Sequence, residues 1–237
     1  MIIALAGSGE FLAGMTAIDC ELLALAPGDR VAVPPTAAGL EDPYAWGRIG
    51  IEHFTRLGAR PAHVPLHCRA DADDPSVIAA LAGSDLFYLS GGTPEHLLDS
   101  LAGTPAWAVI SGRVEEGAVI AGCSAGTAAL GGWSVSIAAE PWSWREGLSL
   151  LPGWGLLPHY DAAPDRPTAL DEVLAKLPPL DCLAGIDGDT VLVWDGRTWS
   201  VRRRGRVVWI LTGQAFHADT CAVDLPAPLA VRRAATP

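Results

Sequence analysis

Apolar residues in this chain fall into short unbroken runs separated by stretches of helical spacing. Met1 to Ala6, Arg30 to Val33, Pro61 to Leu66, Leu86 to Leu89 and Ala118 to Ala121 read as strands. They lack the alternation of a half-solvated strand, so burial on both faces is expected. Ala17 to Leu25, Tyr44 to Leu57 and Pro75 to Leu81 have helix spacing. Gly58 offers a stop for the second of these helices, and Pro34-Pro35 ends the second strand. Thr93-Pro94-Glu95 predicts a helix start, with Thr93 as cap and Pro94 in the first position. Short strands alternating with helices predict an α/β fold: a doubly wound, largely parallel sheet flanked by helices.

The pattern changes in the last third. After a helical segment from Thr168 to Leu177 come two Asp-Gly turns, Asp187-Gly188 and Asp195-Gly196. Thr190 to Trp194, Trp199 to Arg203 and Arg206 to Leu211 read as antiparallel strands closing one edge. No repeat or linker interrupts the 237 residues, and one domain over 1–237 is the economical reading. Gly117 to Ala139 holds no charge and is long enough to span a bilayer. Gly122, Gly126, Gly131, Gly132 and several serines interrupt it, so a buried strand followed by a tightly packed helix is the better reading.

Composition narrows the function classes. Half the residues are apolar, and the formal charge of −11 argues against nucleic acid as a partner. Arg202-Arg203-Arg204 with Arg206 reads as the solvated part of a hairpin. Five scattered cysteines form no C-x-x-C pair, which fits a reducing, cytoplasmic compartment and neither a disulfide framework nor a zinc ribbon. The apolar N-terminus has no basic residue before Arg30, unlike a signal peptide. No membrane partner is expected.

Candidate chemistry gathers at strand ends. Gly122-Cys123-Ser124-Ala125-Gly126 follows a buried strand and precedes a helix-competent run. A nucleophile presented there needs a sharp turn, and small neighbours because the turn crowds the backbone. Ser124 is the centre of that turn, and Cys123 is expected to point into the core. Ser90-Gly91-Gly92-Thr93 ends the preceding strand and opens on the same edge of a parallel sheet, where ligands collect. Gly7-Ser8-Gly9 has Leu12 in place of the third glycine of a dinucleotide fingerprint, so no such cofactor is expected.

A serine hydroxyl needs a base, and the chain has six histidines. Helical spacing places His53 at the surface or a boundary, and His96 on a helix near the glycine pair. His63 and His67 with Cys68 are explained by a strand and its following loop as well as by a metal. His159 and His217 each follow an apolar run, and the residues alone do not choose between them.

Several segments taken together resemble the serine peptidases that include α-aspartyl dipeptidase and cyanophycinase, which share the class I glutamine amidotransferase fold. Ser90-Gly91-Gly92-Thr93-Pro94 is similar to their glycine-rich loop, and Ala121-Gly122-Cys123-Ser124-Ala125-Gly126 to their nucleophile segment. Gly147-Leu148 through Leu151-Pro152-Gly153 to Pro158-His159-Tyr160 resembles the segment that delivers the histidine. Gly185-Ile186-Asp187-Gly188-Asp189-Thr190 resembles the stretch before the last strands. The resemblance implies Ser124 as nucleophile, His159 as base, and Gly92 and Ala125 as donors to an oxyanion. It implies an acid between serine and histidine, where Glu140 and Glu146 are the only carboxylates and Glu140 lies nearer the expected place.

Short peptides are the implied substrates, met by Gly91 and Thr93, with no metal or organic cofactor. The dipeptidase's acid-recognising arginines follow the histidine; here Arg166 alone is near, with Asp161 and Asp165 beside it. Trp142, Trp144 and Trp154 flank the site in sequence and suit either an aromatic pocket or ordinary packing. Two rival readings remain: an α/β-hydrolase-type esterase using Ser124, Asp187 or Asp195, and His217, or an amidotransferase-like domain that only binds a ligand.

Overall fold

The structure, a computed structural model, describes residues 1–137, 141–165, 167–217 and 220–228. In chain order its elements are β1 (Ile2–Ala6), α1 (Thr16–Leu25), β2 (Arg30–Val33), α2 (Pro43–Arg56), β3 (Arg60–His63) and α3 (Pro75–Ala82). Then come β4 (Leu86–Leu89), α4 (Pro94–Leu101), α5 (Pro105–Glu115), β5 (Val119–Cys123), α6 (Ala125–Leu130), β6 (Gly131–Ser136) and β7 (Ser143–Glu146). β8 (Leu151–Pro158), α7 (Pro167–Leu174), β9 (Cys182–Ile186), β10 (Thr190–Trp194), β11 (Trp199–Arg203), β12 (Arg206–Trp209), β13 (Gln214–His217) and β14 (Cys221–Val223) follow.

β1, β4 and β5 are apolar runs because both faces of the sheet are covered. The sheet order is β14-β11-β10-β1-β5-β4-β2-β3, and the five strands from β1 to β3 in that order are parallel. β10, β11 and β14 extend it antiparallel. One face packs Phe11, Met15, Ile18, Leu22 and Phe54, from α1, α2 and the loop before them, against Val31, Tyr88, Ala121 and Cys123. The other face lies beneath α3 to α6 and residues of a second sheet, among them Leu151, Trp154 and Ile186. Local signals set the helix ends. Asp42 caps α2 by accepting from Ala45 N–H at 3.0 Å, Pro43 follows it, and Gly58 closes the helix at φ 84°.

The second sheet, β13-β12-β9-β8-β6-β7, departs from the sequence reading. The charge-free stretch does hold a buried strand and then a helix, but α6 is only six residues long and passes directly into β6. β12 joins this second sheet through β9, whereas β10 and β11 close the first. The third strand ends at His63, before Pro65, which has no N–H to contribute to a ladder. α5 is a separate helix after α4, begun by Thr104, whose hydroxyl accepts from Trp107 N–H. Thr93 occupies the cap position of α4 without making a capping hydrogen bond. Among the described residues, no helix is long and apolar enough to cross a membrane.

Candidate active site

β4, β5 and β1 are adjacent and parallel, with Leu89 opposite Gly122 and Ala6 opposite Cys123. Their carboxyl ends therefore bring three loops to one edge: Ser90–Thr93, Ser124, and Gly7–Phe11. Ser124 sits at the β5–α6 junction with φ 51° and ψ −114°, a conformation rarely tolerated outside glycine. Several contacts hold it there. Ser124 N–H donates to Ala6 O at 3.1 Å, and the Thr127 hydroxyl lies 2.8 Å from both Ala6 O and Gly122 O. A Cβ at Gly126 would collide with the Leu89 carbonyl, and one at Gly122 would stand 2.7 Å from the Gly126 carbonyl carbon. The elbow thus requires the small residues that flank it.

His159 follows the last residue of β8 and also has positive φ, 54°. Its Nε2 lies 2.9 Å from Ser124 Oγ. Asp161 fastens the segment after it by accepting from Gly188 N–H at 2.6 Å. The two sheets thereby supply one side chain each. His217 lies on β13, opposite Arg206, and Asp187 pairs with the Arg206 guanidinium at 3.2 Å, while Asp195 accepts from the N–H groups of its own turn. These residues serve the second sheet and a hairpin, so the Ser124 hydroxyl partners His159 instead.

Gly92 has φ 136°, and a Cβ there would strike the Ala37 backbone. Thr93 N–H donates to Ala37 O at 2.8 Å, and Gly91 N–H donates to Glu10 Oε1 at 2.7 Å. The glycine loop is therefore anchored on both sides of Gly92. Glu10 is a residue that the sequence analysis does not single out. Its other oxygen accepts from the Cys123 thiol at 3.0 Å, so one carboxylate joins the glycine loop to the strand carrying Ser124. Burial and the neighbouring Glu10 charge push the Cys123 thiol well above the usual range. It stays protonated and faces the core, as expected. An acid directly after an apolar strand and a Gly-x-Gly turn was the available signal for Glu10.

Other placements differ from expectation. His53 is buried, 2% exposed, with Nε2 2.7 Å from the buried Asp19 carboxylate. Helical spacing places it at the surface or a boundary because a carboxylate on another helix is not visible in a local pattern. Burial holds the Asp19 carboxyl above its usual value, against the lowering effect of His53. His96 bonds the His67 carbonyl at 2.7 Å and so ties the start of α4 to the loop after β3. Among the described residues, His63, His67 and Cys68 do not come together as a group that could hold a metal ion. Arg203 is mostly buried and pairs with Asp189 at 3.3 Å, and Arg206 pairs with Asp187, so that cluster is not simply solvated.

Glu140 and Arg166 lie outside the described residues. Glu146 sits on β7 opposite Trp133, which pairs with Gly155, well short of His159 along β8. Trp154 belongs to the core, Trp144 donates to Val173 O at 2.9 Å, and Trp142 lines a cavity beside Ser124. Glu95, in the first turn of α4, accepts from Ser136 Oγ at 2.9 Å and Ile137 N–H at 2.5 Å. That carboxylate fastens the end of β6 to the start of α4.

A serine strained at a strand–helix elbow and bonded to a histidine is the arrangement used by serine hydrolases of several folds. Comparison with known proteins narrows the class. The profile of peptidase family S51 matches residues 3–202, and the chain belongs to that family. The cyanophycinases of Synechococcus elongatus and Thermosynechococcus vestitus are each 28% identical over 211 residues, covering 85% of this chain. The chain spans 64% of the length of those relatives. The crystal structure of a peptidase from an acI-B1 actinobacterium superposes with a TM-score of 0.84 at 29% identity, over 93% of this chain and 95% of that one. A peptidase E protein from Listeria monocytogenes shares the fold, with a TM-score of 0.62 at 18% identity over 85% of this chain and 98% of its own.

Proposed function

We propose that this chain is a serine peptidase that hydrolyses an amide bond in short peptides through an acyl-enzyme. The observation that carries this reading is the 2.9 Å contact between Ser124 Oγ and His159 Nε2 at the elbow. In the proposed cycle His159 Nε2 takes the Ser124 proton while Oγ bonds the substrate carbonyl carbon. The oxyanion accepts from Gly92 and Ala125 N–H. Collapse expels the amine, which receives the proton from His159. A water then gives a proton to His159 and attacks the ester, and Ser124 leaves with the proton returned to it.

Glu140 is the group we assign to orient His159. β6 runs parallel to β8, so the chain leaving β6 toward Glu140 starts at the edge where His159 begins, whereas Glu146 lies back along β7. Gly91 and Thr93 contribute by fixing the loop on which the substrate carbonyl rests.

The test is amine release from a panel of dipeptides and tripeptides by the wild type, Ser124→Ala and His159→Ala. Turnover that both substitutions reduce by about 10³-fold or more supports the reading. Turnover that survives in Ser124→Ala, or a folded protein that cleaves no member and does not react with a fluorophosphonate at Ser124, overturns it.

A further inference from the structure

The cavity that opens on Ser124 has a volume of about 510 Å³, within the range of small-ligand sites. Its walls come from β6 and β8 of the second sheet, from α6 and α7, and from the turns that follow β4 and β5. Val135 and Ile137 stand on one side, Leu156 and Leu157 on another, and Trp142 and Leu170 complete it. Besides His159, the described lining residues include no ionisable side chain other than the Tyr160 phenol. Ile137, 48% exposed, adds apolar surface to the cavity wall. The Glu95 bonds to Ser136 and Ile137 tie that wall to the first turn of α4, the helix that follows the glycine loop.

A carboxylate or guanidinium entering these walls would lose its hydration and meet, among the described lining residues, no charged side chain of the Asp, Glu, Lys or Arg type. An aliphatic or aromatic side chain would exchange water for Leu, Ile, Val and Trp surface. We propose that the cavity is a specificity pocket for an apolar side chain, leucine- or phenylalanine-sized, on a residue flanking the scissile bond. The proposal deepens the peptidase reading and rests on it for the word scissile, though the pocket's preference has a readout of its own. It departs from the acid-recognising site that the α-aspartyl dipeptidase resemblance would imply.

Two measurements test it. In the first, kcat/KM is compared across otherwise identical dipeptides carrying Leu, Phe, Ala, Asp or Arg at one position flanking the cleaved bond, and then at the other. Burial of the side chain should favour Leu and Phe over Asp and Arg by about 10- to 100-fold at one of the two positions. Ala128, a small residue of α6 on the cavity wall, provides a block. Ala128→Leu should lower the ratio of Phe to Ala turnover at least about tenfold. In the second, Ser124→Ala is titrated with the same dipeptides by calorimetry, which reads the pocket without turnover.

If Ser124 reacts with a fluorophosphonate but Asp or Arg dipeptides are turned over best, the pocket proposal falls and the peptidase reading stands. A preference for Asp that Arg166→Ala abolishes would overturn the proposal in the same way. If no dipeptide is cleaved, yet Ser124→Ala binds the Leu and Phe members selectively and Ala128→Leu weakens them, the pocket stands and the reaction falls. Absence of both binding and turnover overturns both.

Discussion

Replacing Glu10 tests whether the glycine loop is aligned for catalysis by a carboxylate more than 80 residues away in sequence. Glu10 Oε1 receives Gly91 N–H at 2.7 Å, and Oε2 receives the Cys123 thiol at 3.0 Å. The loop has a second anchor, Thr93 N–H to Ala37 O, on the other side of Gly92. Glu10→Ala removes the first anchor only. A hydrogen bond to a charged acceptor contributes about 1.5–3 kcal/mol, and the thiol bond adds little because S–H is a weak donor.

On the proposed role of Gly92 N–H as an oxyanion donor, complete loss of that donor would cost about 10²- to 10³-fold in kcat. One anchor remains, so the donor is misaligned and not removed, and the expected fall is about 10- to 100-fold. It should appear in kcat with KM within about threefold, because the ground-state carbonyl carries little charge. Glu10→Gln keeps an oxygen for Gly91 N–H and should recover most of the loss. The assay is steady-state turnover of the best dipeptide, with a urea unfolding curve for each variant. An unfolding midpoint that drops in Glu10→Ala while kcat stays within twofold of wild type would assign Glu10 to stability alone and refute its role as a positioning residue.

Two further predictions concern stability. Gly126→Ala places a methyl group against the Leu89 carbonyl, a backbone atom that cannot swing aside, and should cost about 3 kcal/mol or more in urea unfolding. Gly112→Ala, inside α5 with nothing within 4 Å of the added carbon, should instead stabilise by about 0.5–1 kcal/mol; equal effects from the two would refute the packing argument. Asp195 is held below its ordinary 3.8, chiefly by Thr198 N–H with Arg197 N–H beside it. A lowered folded-state value contributes stability that is present above about pH 4 and lost as the pH falls through it, because the unfolded chain then binds more protons. Unfolding midpoints of Asp195→Asn should therefore fall less steeply than those of wild type between about pH 5 and pH 2.5. Parallel slopes would show that this turn does not sense acid.

What the sequence disclosed follows from how local each cause is. The parallel strands were legible because burial on both faces leaves unbroken apolar runs, as in Leu86–Leu89 and Val119–Cys123. The elbow was legible because its crowding dictates residue size within five consecutive positions. His159 was not separable from His217 on residue patterns alone, since both follow apolar runs; the family resemblance selected it, and the structure places it against Ser124. The second sheet escaped for a steric reason. Gly131 and Gly132 look like small residues of a packed helix, yet a Cβ on either would stand within 3 Å of backbone in β8. They mark close strand approach, and a charge-free stretch of small residues has no period to say so. Glu10 and His53 escaped because their partners lie 81 and 34 residues away. A buried carboxylate such as Asp19 reads as a surface residue until its partner is in place. Glu10, which joins Gly91 to the strand residue before Ser124, is thus a polar residue matched over a long separation, where local patterns carry the least information, and its variants probe that part of the design directly.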